Sequence, residues 1–159
     1  MDITLIAAIG KNNELGKNNE LIWHIPGDMK FFKENTIGKP IVMGINTFKS
    51  LPNMLPNRKH IILTHQDVKL DSSVSILHNM KDLLEYIQRL DREVMVIGGA
   101  KVYEQMIEYA NKMLITKIND AADADTFFPI FDENDWNKKI LSENVYKDIS
   151  YSHLVYTKK

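Results

Sequence analysis

The sequence predicts an α/β fold. We expect a mostly parallel central sheet of about eight strands, an antiparallel C-terminal hairpin at one edge, and four helices shared between the two faces. Three observations lead there. Short apolar runs alternate with stretches of helical periodicity along all 159 residues, and that alternation implies crossover connections between parallel strands. The runs are apolar at successive positions, as strands covered on both faces require. The last two strand-like segments have no helix between them, so they pair antiparallel.

The first run, Ile3 to Ile9, is apolar on both sides and suits the middle of the sheet. Lys11 to Glu20, with four asparagines and Gly16, reads as a polar loop. Asp28 to Asn35 follows a Pro-Gly turn and carries Met29, Phe32 and Lys33 at helical spacing. Pro40 to Gly44 is the next strand, and Thr47 to Ser50 opens a short helix. His60 to Thr64 and Val74 to Leu77 continue the sheet. Asn79 caps a helix from Lys81 to Leu90, with Leu83, Leu84, Ile87 and Leu90 on one face. Glu93 to Ile97 is a strand, and Ala100 to Ala110 is a helix with Val102, Tyr103, Met106 and Ile107 turned inward. Met113 to Ile118 is a late strand, Asn119 to Thr126 a second polar loop, and Trp136 to Glu143 with Tyr151 to Thr157 the hairpin. No repeat, linker or low-complexity tract interrupts this order, so residues 1–159 read as one domain.

Composition narrows the function. Hydrophobic residues make up 44% and charged residues 26%, which suits a globule and excludes a disordered or fibrous chain. Twenty basic against 21 acidic residues leave a formal charge of −1. A binder of nucleic acid usually carries a basic excess, and none is present. The absence of cysteine removes disulfides, thiolate metal sites and cysteine nucleophiles. The five histidines show no metal-binding spacing, so no metal is expected. The start of the chain has no basic n-region, and no apolar stretch approaches the roughly 18 residues a membrane span needs. We therefore expect a soluble cytoplasmic domain.

The sharpest local pattern is Ile97-Gly98-Gly99-Ala100-Lys101-Val102-Tyr103, a buried strand that passes through two glycines into a helix. Paired glycines let backbone approach a ligand, and a helix start offers free N–H groups to a phosphate. A tight turn with no ligand would read the same way. Met43-Gly44-Ile45-Asn46-Thr47 repeats the logic with one glycine, and Thr47 suits either a phosphate contact or a cap. Two such junctions on parallel strands fit a dinucleotide.

Asp28 lies among large apolar neighbours, from Leu21-Ile22-Trp23 to Phe31-Phe32. It could be an ordinary first-turn carboxylate. In an apolar cleft it would instead have a raised pKa and could pair with a cationic or amidine-like ligand edge. Trp23 reads as core packing. Arg58, beside a turn, has the fork geometry that suits a carboxylate.

Together these segments resemble dihydrofolate reductase over nearly the whole chain. The markers are Ile6-Ala7-Ala8, Leu15-Gly16 and Asn19, Trp23-x-x-Pro26-x-Asp28 with Phe32-Lys33, and Met43-Gly44-x-x-Thr47. They continue with Leu55-Pro56-x-Arg58, Ile97-Gly98-Gly99-x-x-Val102-Tyr103, Thr116, and Asp125-Thr126-x-Phe128-Pro129 before Trp136. The resemblance implies reduction of 7,8-dihydrofolate to tetrahydrofolate with NADPH, by hydride transfer to pterin C6 and protonation at N5. It implies a catalytic set of Asp28, Thr116, Leu21 and Trp23. Asp28 would bond the pterin 2-amino group and N3, with Thr116 supporting the carboxylate and an ordered water. Asp28 is expected to be the only ionisable group in the pocket.

The resemblance also implies that Ile6, Ala7, Met29, Phe32, Leu51, Leu55 and Ile97 line the substrate slot, with Arg58 on the glutamate carboxylate. Ala8, Leu15, Gly16, Asn19 and Leu21 would cover the nicotinamide. Asn46, Thr47 and the backbone of Gly98, Gly99, Ala100, Lys101 and Val102 would hold the pyrophosphate. Gly44, Ile97 and Tyr103 would be further cofactor-binding residues, and Thr64 and His65 would lie beside the adenosine. The Gly98-Gly99 bond resembles one that is cis in this family.

Diaminopyrimidine and pteridine antifolates would compete for the slot, and a monomer is the family expectation. A related pterin or pyrimidine reductase and a silent folate or dinucleotide binder are the alternatives. The chain departs from the family pattern at Ile45, where an arginine usually meets the cofactor's 2′-phosphate; Lys101 and His65 would then supply that charge. Ile22, Ala100, Ala124 and Pro52-Asn53-Met54 are further departures.

Overall fold

A computed structural model describes residues 1–159. The first strand, β1 (Ile3–Ile9), is followed by two short strands, β2 (Glu14–Lys17) and β3 (Glu20–Leu21). Helix α1 (Pro26–Thr36), β4 (Ile41–Gly44), α2 (Ile45–Ser50), β5 (His60–Leu63) and β6 (Ser75–Leu77) come next. They lead to α3 (Met80–Leu90), β7 (Val94–Gly98), α4 (Ala100–Met106) and β8 (Lys112–Ile118). The chain ends with β9 (Thr126–Phe127), β10 (Trp136–Tyr146) and β11 (Ile149–Lys158).

Eight strands form one sheet in the order β10-β11-β8-β1-β7-β4-β5-β6. Its interior is parallel, with β1 between β7 and β8; β11 joins β8 antiparallel, and β10 closes the edge. The expected architecture is therefore present. Side chains on a strand alternate between faces, and here both faces are apolar. Ile3, Leu5, Ala7 and Ile9 point into a cluster with Leu83 and Ile87 of α3 and Val102, Tyr103 and Met106 of α4. Ile6 points the other way, into a cluster with Met43, Ile62 and Met95 that Phe31, Phe32 and Phe48 cover. Two-sided burial explains why the runs are continuously apolar.

Three local expectations need correction. The fourth helix is α-helical only to Met106 and tightens to a 3-10 turn over Ile107–Tyr109. Helix α1 begins two residues earlier than expected, with Pro26 in its first turn, where a missing N–H costs nothing. The two polar loops are partly ordered: β2 pairs with β3 and with β9 in a second, three-stranded sheet. Those strands are too short and polar to show a period-2 pattern. Their asparagines explain the turns, since Asn13, Asn18 and Asn19 all have positive φ, a region asparagine enters more readily than most residues. Asn79 does cap α3, its side chain accepting from the Asp82 N–H at 2.8 Å.

Candidate active site

The site is built at the carboxyl ends of β1, β4, β7 and β8. Asp28 sits in the first turn of α1, whose N-cap, Ile25, offers no capping side chain. The carboxylate is not spent on the helix end; it meets β8 instead. The Thr116 hydroxyl donates to Asp28 Oδ1 at 2.5 Å. None of the chain's four ion pairs includes Asp28. Burial pushes its carboxyl above the usual range, against the Thr116 bond and the nearby imidazole of His153, which pull it down. The raised pKa expected from the apolar surroundings is thus present, and its main cause is desolvation.

Asp28 is not the only ionisable group there. His153 on β11 lies directly opposite Thr116 in the antiparallel register and is 6% exposed. Its Nδ1 is 2.9 Å from Thr116 Oγ1, and its ring stacks on Phe31 with centroids 3.9 Å apart and planes 10° from parallel. The sequence shows only a histidine in an apolar strand. The β8–β11 register that brings it to Thr116 leaves no local signal.

Ile6, Phe32, Leu51, Leu55 and Ile97 gather in one apolar cluster beside this pair. Two predicted lining residues do not join it. Ala7, buried on the opposite face of β1, packs with the α4 side of the sheet, because neighbouring strand residues face opposite ways. Met29 is 58% exposed on the outer side of α1. At the far end of the slot, the Arg58 Nε–H donates to Thr36 Oγ1 at 3.0 Å and Nη1 donates to the Pro56 carbonyl at 2.9 Å. That leaves the second edge of the fork for a ligand carboxylate. Buried His60 holds this corner: the Leu55 N–H donates to its Nε2 at 3.1 Å, and Nδ1 lies 3.0 Å from the Arg58 carbonyl. Sequence reading did not single out His60.

The two glycine junctions lie side by side, with Met43 opposite Gly98 across β4 and β7. A Cβ on Gly99 would stand 3.3 Å from Thr47 Oγ1, and one on Gly44 would stand 3.2 Å from Val102 Cγ2. Gly98 has φ +128° and the Gly98-Gly99 peptide is cis, as expected. Neither Gly44 nor Gly99, the N-caps of α2 and α4, contributes a capping side chain. No side chain caps the first turn of either helix, and the two junctions touch, so uncapped N–H groups of the kind a pyrophosphate needs lie close together. Asn46 and Lys101 are exposed beside it and Ala100 is half-buried.

Tyr103 differs from expectation. It is buried, and its hydroxyl donates to the Ile6 carbonyl at 2.6 Å, so it ties α4 to β1 and has no hydrogen left for a ligand. Past β5, Thr64 is buried, its N–H donating to the Leu77 carbonyl at 3.0 Å, whereas His65 is exposed. Ile45, 7% exposed, turns into the core.

The segment over the site is pinned to the β8–β9 connection. Leu15 is half-buried, Gly16 buried, Asn19 exposed and Leu21 62% exposed. The Asp125 N–H donates to the Gly16 carbonyl at 3.1 Å. The Trp23 indole N–H donates to Asp120 Oδ2 at 2.9 Å, while its ring packs beside Ala8, Ile25, Ile118 and Tyr151. Glu14, only 1% exposed, accepts from the Asn12 and Ala122 N–H groups at 2.7 and 2.8 Å. Neither Asp120 nor Glu14 was anticipated. Of the predicted catalytic set, Asp28 and Thr116 are bonded together, while Leu21 and Trp23 belong to the covering segment.

A cleft with a half-buried acid that has no cation paired to it, an arginine fork and a two-helix anion clasp suits a flat heterocycle with a carboxylate tail lying beside a dinucleotide. A family model described as "Dihydrofolate reductase" matches residues 2–158. The chain is 38% identical over 161 residues to the dihydrofolate reductase of Bacillus subtilis (strain 168), covering 99% of this chain and 95% of that one. It is 36% identical over 136 residues to the dihydrofolate reductase of Haemophilus influenzae, covering 86% and 84%. Among solved structures, the Enterococcus faecalis dihydrofolate reductase complexed with NADP(H) and RAB-propyl superposes with a TM-score of 0.89 at 31% identity, covering 99% of this chain and 96% of that one.

Proposed function

The chain belongs to the dihydrofolate reductase family, and from that premise we propose how its cleft reduces dihydrofolate to tetrahydrofolate with NADPH. When bound, the cofactor supplies a hydride for C6 of the pterin. The chain's residues do the rest. Asp28, its carboxylate steadied by the Thr116 hydroxyl, accepts from the pterin 2-amino group and N3. A negative charge with no cation of its own favours a proton on the neighbouring heterocycle, so Asp28 promotes protonation at N5, the proton arriving through water. The hydride rate therefore falls as pH rises through the pKa governing this step.

Ile6, Phe32, Leu51, Leu55 and Ile97 form the apolar wall, and the free edge of Arg58 takes the substrate's α-carboxylate. The paired junctions at Gly44–Thr47 and Gly98–Val102 hold the pyrophosphate, with Ala8, Leu15, Gly16, Asn19 and Leu21 excluding water over the nicotinamide. His65 and Lys101 supply the charge that Ile45 cannot. Both halves of the sheet contribute, so we take residues 1–159 as one catalytic domain, acting as a cytoplasmic monomer. No helix is long and apolar enough to cross a membrane. Diaminopyrimidine and pteridine antifolates, which present an amidine-like edge, compete for Asp28.

The observation that carries this reading is the Thr116–Asp28 hydrogen bond inside an apolar slot that ends at Arg58. Loss of NADPH absorbance on adding dihydrofolate tests it. A chain that binds both compounds without that loss would be a silent binder, and the reading would fall.

A further inference from the structure

We propose that His153 is a positioning residue that acts through Thr116, fixing the direction of its hydroxyl and so making it easier for Asp28 to hold its negative charge. The inference rests on the role given to Asp28 above.

Hydrogen-bond arithmetic carries it. An ionised carboxylate can only accept, and a threonine hydroxyl has one hydrogen. With Thr116 Oγ1 2.5 Å from Asp28 Oδ1 and 2.9 Å from His153 Nδ1, that hydrogen goes to Asp28. The bond from the histidine side must then be donated by Nδ1–H into the Thr116 oxygen. The donors line up as His153 to Thr116 to Asp28, each polarising the next. Without the imidazole hydrogen, the Thr116 oxygen loses its donor and the hydroxyl is freer to turn away.

Packing leaves His153 little choice of rotamer. Phe31 of α1 stacks on one face at 3.9 Å, and Tyr151 meets the ring edge-to-face at 5.5 Å and 79°. The register places Thr116 of β8 directly opposite. The titratable groups facing the relay are Asp28 from α1, Tyr103 from α4, which feels the Asp28 charge, and Tyr151 from β11 itself. On the remaining strands, β8 presents Thr116 and β10 presents Ser142, neither of which ionises. Burial lowers the imidazole's affinity for a proton while the Asp28 charge raises it, and the first effect is the larger. As the Nδ1–H tautomer or as the imidazolium, the ring offers Thr116 the same donor.

The test is a carboxyl titration of Asp28 by carbon-13 NMR in the wild type, His153→Phe, Thr116→Val and the double variant. Phenylalanine keeps the stack on Phe31 and removes only the donor. We expect the Asp28 midpoint to rise in His153→Phe, with the ionised-to-protonated ratio at the wild-type midpoint falling about threefold. Thr116→Val should move it the same way, and the double variant should move no further than Thr116→Val alone. A wild-type midpoint in His153→Phe, or additive shifts in the double variant, would overturn the relay. Nitrogen-15 spectra of wild-type histidines give an independent check: above the Asp28 titration His153 should carry its hydrogen on Nδ1, and an Nε2–H tautomer would also overturn the proposal. NADPH oxidation by the same wild-type sample is read separately, so a failure of the relay is distinct from a failure of the reductase reading.

Discussion

Replacing Asp28 with asparagine removes one charge and almost no volume, so the structure sets its consequences closely. The Thr116 hydroxyl can still donate to the amide oxygen. The other arm becomes an N–H₂ group facing a ligand edge that itself donates, where the carboxylate oxygen had accepted. No Lys or Arg pairs with Asp28, so the whole charge serves the ligand. Leaving a desolvated charged partner unmatched costs about 3–4 kcal/mol, two to three powers of ten in rate. Stability should move the other way. Burial holds the Asp28 carboxyl above its unfolded value, so its contribution to stability is complete below the unfolded pKa and is lost as pH rises through the folded one. Above that point the ionised acid is a net cost that asparagine does not carry. We expect Asp28→Asn to bind NADPH normally, reduce dihydrofolate 10² to 10³-fold more slowly at neutral pH, and melt at or above the wild-type Tm, the gap widening as pH rises. Single-turnover hydride transfer and Tm against pH measure both. A variant within threefold of wild type, or one that melts lower throughout, would refute this account.

Three further outcomes follow. Arg58→Lys keeps the charge but loses the fork; the dihydrofolate KM should rise about tenfold to a hundredfold with kcat little changed, and steady-state kinetics separate the two. Glu93 is held down at about 2 by Lys39, Thr4 and Lys112, despite the opposing effect of burial, with Oε1 2.7 Å from Lys39 Nζ and Oε2 3.2 Å from Lys112 Nζ. Because its folded pKa is depressed, its stabilisation is complete above the unfolded value of 4.5 and fades towards 2. Glu93→Gln should cost about 1–2 kcal/mol at neutral pH after screening at the partly exposed lysines, and denaturant unfolding should find most of that difference gone at pH 2. With Ile45 offering no charge, the chain should prefer NADPH to NADH by a modest margin, and Lys101→Ala or His65→Ala should each lower that preference about twofold to fivefold. Equal kcat/KM for both cofactors in the wild type would contradict it.

What the sequence made legible follows from which interactions are local. The interior strands of the large sheet could be read because two-sided burial writes itself as an apolar run, whereas the largely exposed β10 could be read only because no helix separates it from β11. Asn79 could be read as a cap because capping spans three residues. Asp28 and Arg58 stood out through their neighbours. His153, Asp120 and Glu14 did not, because each acts through a partner that only strand register or loop closure brings near. Ala7 and Tyr103 show the converse limit. A family motif marks a position, but the pleat of β1 and the bond to the Ile6 carbonyl decide which way each side chain is used.

The central place of β1 has a consequence for how the molecule assembles. It precedes every other strand of its sheet in the chain, yet its sheet partners begin at Val94 and Lys112, and the acid and hydroxyl of the site are 88 residues apart. The segment from β4 to β6 can pair with near neighbours while β1 still waits, because distant closures are entropically slower. Catalytic competence should therefore be the last property to emerge on refolding, with NADPH oxidation lagging the far-ultraviolet dichroism; simultaneous recovery would count against this order. A newly made chain passes through a stage in which its longest apolar strand is synthesised but unpaired, and the protein is most exposed to misassembly in that interval.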